Sequence, residues 1–218
     1  MAVFSERFDN LGCDDPERTY RLGIMGGTFD PIHLGHLAVA EQARDQLQLD
    51  AVLFMPAGRS PFKAEHEQAD PLKRYAMCKL AVEDNEAFDV SDFEASQSGL
   101  TYTVDTLKAL HNHYPDNVEL YFIAGSDAIS TLGGWRQSQE MMSLAHFIGV
   151  NRPGMNLDDN NVIKKMLRNQ GFDVEFIEAP SLEISSSDLR QRLANGASVR
   201  YLLSEPVRHY ISQEGLYR

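Results

Sequence analysis

The residues with the most chemical content lie in one short string, Gly26-Gly27-Thr28-Phe29-Asp30-Pro31-Ile32-His33-Leu34-Gly35-His36. It follows an apolar run and leads into a helical pattern. Gly26 and Gly27 carry no side chains, so their backbone N–H groups can come close to a polyphosphate. A helix beginning there adds unpaired N–H groups and a partial positive charge. His33 and His36 are three residues apart and share a helical face near that start. Two imidazoles aimed at one point can donate hydrogen bonds to phosphate oxygens and stabilise the charge that grows on them during phosphoryl-type transfer. Gly35, between them, is read as leaving room on the ligand's side. The same spacing would also suit two metal ligands, but no further Cys or His cluster is placed to complete such a site.

These residues must be positioned by larger elements, and the chain supplies a regular alternation. Short runs rich in Val, Ile, Leu and Phe predict strands at Tyr20 to Met25, Val52 to Met55, Phe88 to Phe93, Glu119 to Ala124, His146 to Val150 and Asp173 to Ile177. Between them, Leu34, Leu37, Ala40, Ala43 and Leu47 fall on one helical face, as do Leu72, Tyr75, Ala76 and Leu80. For the second of these helices Asp70 can cap and Pro71 suits the first helical position. Val104, Leu107 and Leu110 mark a third helix. Val162, Ile163, Met166 and Leu167 mark a fourth, which Gly171 can end. Two more follow at Ser187 to Ala194 and Pro206 to Glu214. Strand–helix alternation predicts an α/β fold of the Rossmann-like, doubly wound kind, a mainly parallel sheet with helices on both faces. Such sheets bind ligands beyond the carboxyl ends of their strands, where strand order reverses. The glycines of the first string stand directly after the first strand.

A second string, Ile184-Ser185-Ser186-Ser187-Asp188-Leu189-Arg190, can cap a helix with hydroxyls, offer N–H groups to an anion and add a forked cation. The first string resembles the signature of the nucleotidyltransferases that carry a His-x-Gly-His motif, and GGTFDPIHLGH resembles the bacterial nicotinate-nucleotide adenylyltransferases in particular. The second resembles that family's Ile-Ser-Ser-x-x-Ile-Arg, with Leu189 in place of isoleucine. The resemblance runs from about Leu22 to the C-terminus. It implies an enzyme of NAD biosynthesis that transfers AMP from ATP to nicotinate mononucleotide, releasing diphosphate, with Mg²⁺ bound through the ATP phosphates.

Carried over residue by residue, the resemblance implies catalytic roles for His33, His36 and Arg190. It implies ATP contacts at Gly26, Gly27, Thr28, Phe29, Ser185 and Ser186. It adds Gly125 and Asp127 after the fourth strand and Arg152 after the fifth. On the mononucleotide side it implies Lys63, Thr103 and Trp135. Lys63 can meet a phosphate as a flexible point charge, although Phe62 precedes it where the family commonly has histidine. Thr103 is expected to cap its helix and orient N–H donors toward a carboxylate. Trp135, the only tryptophan, lies in a Gly133-Gly134-Trp135-Arg136 turn and resembles the residue that stacks on the pyridine ring.

Composition excludes other classes. The 218 residues suffice for one generously packed domain. We expect residues 1–19, polar and acidic, to form a flexible extension, and residues 20–218 a single domain. A net charge of −12 and the lack of a basic stripe argue against a nucleic-acid partner. No apolar run approaches the roughly 20 residues that cross a bilayer, and the N-terminus does not read as a secretory signal. Cys13 and Cys78 are then expected as free thiols and the protein as cytoplasmic. A homo-oligomer is compatible with this reading. Pantetheine-phosphate adenylyltransferases and cytidylyltransferases share the histidine motif, and a catalytically silent nucleotide-binding module remains the alternative outside enzymes. A class I aminoacyl-tRNA synthetase would need a longer chain and a Lys-Met-Ser-Lys-Ser string.

Overall fold

A computed structural model describes residues 4–58, 68–151, 157–180 and 182–218. Six strands form one sheet: β1 (Tyr20–Gly27), β2 (Ala51–Pro56), β3 (Phe88–Val90), β4 (Val118–Gly125), β5 (His146–Asn151) and β6 (Val174–Glu178). All pairings are parallel and the order is β3-β2-β1-β4-β5-β6. The chain winds outward from β1 in one direction and then, from β4, in the other. The reversal therefore falls between β1 and β4, above Gly26 and Gly27.

Period-two burial explains the sheet. Along β2, Val52 and Phe54 join a core cluster with Ala40, Ala43, Met77, Leu189 and Ile211, while Ala51, Leu53 and Met55 join another with Val104, Leu107, Leu110 and Leu167. Both faces are apolar because both are covered. Helices α1 (Leu34–Leu47), α2 (Pro71–Val82), α7 (Ser186–Ala194) and α8 (Glu205–Glu214) supply the first cluster. The second takes residues of α3 (Thr103–His113) and α6 (Leu157–Asn169). Asp70 caps α2 as its sequence position predicts, its Oδ1 accepting from the Leu72 N–H at 2.9 Å, with Pro71 at the first helical position. A cap of this kind contributes about 1 kcal/mol.

Three elements of one turn or little more escape the periodicity: α4 (Ser126–Ser130), a 3₁₀ turn at Leu132–Gly134 and α5 (Ser138–Met141). Strand β3 ends at Val90, short of the predicted Phe93. The chain turns away there, with Ser96 donating to both the backbone and side-chain oxygens of Asp92.

Residues 4–19 differ from the loose extension expected of them. The Asp89 carboxylate, nearly fully buried on edge strand β3, accepts from the Ser5 hydroxyl at 2.7 Å and from the Glu6 and Arg7 N–H groups at 2.8 and 3.0 Å. The Arg7 guanidinium donates to the carbonyls of Glu83, Asn85 and Phe88, and Phe4 stacks on Phe93. Asn117 holds the carbonyls of Gly12, Asp15 and Arg18. The polar composition that suggested looseness is what makes these attachments.

Candidate active site

The glycine–histidine string leaves β1 and enters α1 through a turn that several distant groups fix. His33 is the residue before the first helical position and His36 lies three further on. The His33 N–H donates to His36 Nδ1 at 3.2 Å. With Nδ1 an acceptor, the neutral His36 ring carries its proton on Nε2 and offers that nitrogen as its donor. The two rings stack with centroids 3.7 Å apart and planes at 22°. Phe29 sets its edge against His36 at 5.0 Å. The Phe29 ring itself is buried, lying where a side chain on Gly27 would stand.

Gly35 lines the first cavity, in keeping with its reading as a residue that leaves room on the ligand's side. A Cβ there would also come to 3.0 Å from the His33 ring and press on it.

Arg74, which the sequence reading did not single out, holds the turn from behind. It is buried and donates to four backbone carbonyls, those of Thr28 at 2.6 Å, Ala57 at 2.7 Å, Gly58 at 3.1 Å and Ala69 at 3.0 Å. Burial pulls its pKa down, and the nearby Asp30 charge opposes that shift. Asp30 accepts from the Tyr217 hydroxyl at 2.6 Å and from the Ala69 N–H at 3.2 Å. Burial and this hydrogen bond keep the phenol protonated far above the usual tyrosine range.

The second string docks on the same turn. Ser185 caps α7, accepting from the Asp188 N–H at 3.1 Å, and Ser186 donates to the Pro31 carbonyl at 3.0 Å. Arg190 donates to the Asp30 carbonyl at 2.8 Å and lines neither of the two cavities described next. The bond to Asp30 uses one of its five N–H donors, which leaves others available to a phosphate.

Two cavities open at the strand ends. The first, about 690 Å³, is lined by Gly26, Gly27, Phe29, His33, His36 and Gly125, continues past Asn151, and is closed by Ser185 and Ser186. The second, about 560 Å³, is lined by Thr28, Glu94, Thr101, Tyr102, Thr103 and Trp135 among others. Gly26, Gly27 and Ala124 belong to both. The two cavities therefore meet over the reversal point of the sheet, beside the stacked imidazoles.

Within the second cavity Thr103 is the first residue of α3. The capping position is Tyr102, which makes no side-chain cap, so the threonine cap expected from sequence is absent. The Asp105 N–H turns back to the Tyr102 carbonyl at 3.0 Å, while helix geometry gives the Thr103 and Val104 N–H groups no internal acceptor. Trp135 is anchored by Nε1 donating to the Thr131 hydroxyl at 3.1 Å and meets Phe122 edge-on at 5.9 Å. The Arg136 guanidinium covers the Tyr102 ring. Glu94 accepts from the Thr106 hydroxyl at 2.6 Å. Burial raises its pKa, moderated by the Thr106 and Thr101 hydroxyls and the Gly58 N–H. Thr28, expected with the first cavity, lines the second. Asp127 is exposed on α4 and lines neither. Lys63 and Arg152 lie outside the described residues.

Among the described residues no group of three or more His, Cys, Asp or Glu could hold a metal ion, and no helix is long and apolar enough to cross a membrane. Both cysteines are free, Cys13 exposed and Cys78 buried.

Comparison with known proteins gives the site its context. The cytidylyltransferase-like family model matches residues 24–192. A "Probable nicotinate-nucleotide adenylyltransferase" of Desulfitobacterium hafniense (strain Y51) is 48% identical over 201 residues, 91% of this chain and 96% of that protein. One of the same name from Thermoanaerobacter sp. (strain X514) is 43% identical over 93% of this chain and 96% of its own length. Among solved structures, Plasmodium falciparum nicotinic acid mononucleotide adenylyltransferase complexed with NaAD superposes with a TM-score of 0.73 at 22% identity, covering 91% of this chain and 97% of that one. The fold, the paired imidazoles at the sheet's reversal point and these relatives lead to one assignment: the chain belongs to the cytidylyltransferase-like family and, within it, to the nicotinate-nucleotide adenylyltransferases.

Proposed function

We propose that the chain transfers the adenylyl group of ATP to nicotinate mononucleotide, forming nicotinate adenine dinucleotide and diphosphate. The observation that carries this reading is the pair of cavities joined over Gly26 and Gly27, with the imidazole pair beside the junction. Two nucleotides seated one in each cavity meet end to end at their phosphates. The first cavity then serves as donor site and the second as acceptor site.

The mononucleotide phosphate is already ionised near neutral pH, so it attacks the α-phosphorus in line without a general base, and diphosphate departs. The chain's task is positioning and charge stabilisation. His36 donates from Nε2 to a non-bridging oxygen as negative charge accumulates, and His33 supports that ring by stacking. Backbone N–H groups at Gly26 and Gly27 and the amino end of α1 receive the polyphosphate. Ser185 and Ser186 close the donor site, and Arg190 donates to the phosphates through the N–H groups that Asp30 does not hold. Trp135 offers its face to the pyridinium ring, and the amino end of α3 at Thr103 faces the ring carboxylate. Gly125 flanks the ribose, with Asp127 assigned to it by motif alone, Thr28 lies at the junction, and Phe29 acts by backing His36. Lys63 and Arg152 are assigned to the mononucleotide phosphate and the adenosine by motif alone.

Imidazoles and backbone amides, rather than a carboxylate cage, suit a Mg²⁺ ion that enters on the ATP phosphates with several of its own waters. It would supply charge neutralisation on the departing diphosphate. Two free thiols suit a reducing compartment, and we place the enzyme in the cytoplasm.

Diphosphate release from ATP, measured with nicotinate mononucleotide and with its amide counterpart, tests the proposal. Release with the acid acceptor is expected. Thermal stabilisation by both nucleotides without diphosphate release would instead identify a binding module.

A further inference from the structure

Asn151 ends β5 and lines the donor cavity, with only 6% of its surface exposed. Its Oδ1 is buried and has no hydrogen-bond partner among the described residues, and the amide must turn about χ2 to present that oxygen to the cavity. A buried polar atom left unpaired costs about 1–3 kcal/mol, so such atoms are uncommon unless a ligand completes them.

The position of Asn151 indicates which part of a ligand does so. Strand β5 lies two places from β1 in the sheet, with β4 between them. Neighbouring strands are about 4.8 Å apart, which sets the end of β5 about 10 Å from the glycines that end β1. A nucleotide with its phosphates over Gly26 and Gly27 and its ribose crossing Gly125 brings its base to Asn151. There the cavity wall turns apolar, with Val150, Ala179, Pro180 and Leu182 to enclose a flat ring.

A carboxamide offers an acceptor beside a donor. The adenine edge that matches is its 6-amino group beside N7, the pairing by which Asn reads adenine elsewhere. Guanine and hypoxanthine carry an oxygen at position 6, which would face Oδ1 acceptor to acceptor. Rotating the amide would satisfy that oxygen but set Oδ1 against N7, so the loss is not recovered.

We propose that Asn151 determines the base specificity of the donor site, its Oδ1 accepting from the adenine 6-amino group and its Nδ2 donating to N7. The inference rests on the assignment of the first cavity to ATP and adds the group that selects adenine over 6-oxopurines.

The test compares ATP with inosine triphosphate and 7-deaza-ATP in the wild-type enzyme and in Asn151→Ala and Asn151→Leu. Wild type is expected to favour ATP over inosine triphosphate by about 100-fold in kcat/KM, and to lose about tenfold with 7-deaza-ATP. Asn151→Ala should lose about 30-fold on ATP and less than about threefold on inosine triphosphate, so that discrimination collapses. Asn151→Leu fills the same volume without polar atoms and should behave alike. Equal use of the two triphosphates by wild type, or parallel losses on both in the variants, would overturn the proposal. The substrate comparison in wild type decides even if a variant does not fold. Thermal shifts with each triphosphate, without acceptor, keep the question separate from the reaction. If wild type releases no diphosphate yet ATP stabilises it more than inosine triphosphate, and Asn151→Leu removes that difference, the transfer reading fails and the role of Asn151 stands.

Discussion

The donor and acceptor cavities share a wall but are built in different ways. On the donor side, ligand-facing groups come from strand ends and the two contiguous strings that dock on each other, Ser186 to Pro31 and Arg190 to Asp30. On the acceptor side they come from separate pieces: Thr28 after β1, Ala57 after β2, Glu94 after β3, the amino end of α3 and the Trp135 turn. On the proposed assignment, the donor side would handle triphosphate and reaction charge with backbone amides and imidazoles from contiguous strings. The acceptor side would recognise a ring with walls assembled from distant segments. Reaction chemistry would then reside in a compact motif, and acceptor choice in scattered residues.

This contrast can be broken experimentally, beginning with its largest effect. Replacing His36 with Ala should lower kcat by about 10²–10³, the range for loss of one donor to a developing oxyanion, while ATP still binds in calorimetry. Retained turnover would remove the imidazole from the chemistry. Arg74→Met tests the wall of the second cavity. It strands four carbonyls, two of them on the lining residues Thr28 and Ala57, and should cost about 3 kcal/mol of stability in denaturant unfolding. An unchanged unfolding midpoint would contradict the view of Arg74 as a brace. Trp135→Ala should raise KM for the mononucleotide about tenfold, a loss typical of one aromatic contact, with KM for ATP little changed. An equal rise in both would erase the division between cavities.

The smallest predicted effect concerns the arm that backs the acceptor side. Burial alone would raise the Asp89 pKa, but the Arg7 N–H, the Ser5 hydroxyl and Lys79 outweigh it, and the carboxyl sits below its ordinary value of 3.8. A carboxyl with a lowered folded-state pKa contributes stability above its unfolded value and loses it as pH falls through the folded one. Wild type should therefore destabilise as pH drops below about 4, and Asp89→Asn should flatten that slope by at most about 1 kcal/mol. The midpoint of urea unfolding against pH reads it directly. An unchanged slope would detach the arm from Asp89.

Most of the framework was legible because it is periodic. All six strands and the six longer helices follow from apolar spacing, and Asp70-Pro71 announces a helix start that the structure repeats. The short helices between Gly125 and Met141 are too brief to display a period. The polar arm was misread because its attachment relies on backbone amides meeting one buried carboxylate, a pairing that composition does not encode. Within the site, His33, His36 and Ser185 were evident from local spacing. Arg74, Glu94 and Asn151 were not. The four carbonyls on Arg74, the hydroxyl on Glu94 and the cavity facing Asn151 come from segments that only folding brings together. Gly35 serves twice, leaving room in the first cavity and beside the His33 imidazole of its own motif.

The bond from Tyr217 to Asp30 spans 187 residues. The turn between β1 and α1 is therefore braced by a side chain made long after it, and a chain stopped before Tyr217 would carry both strings yet lack that brace.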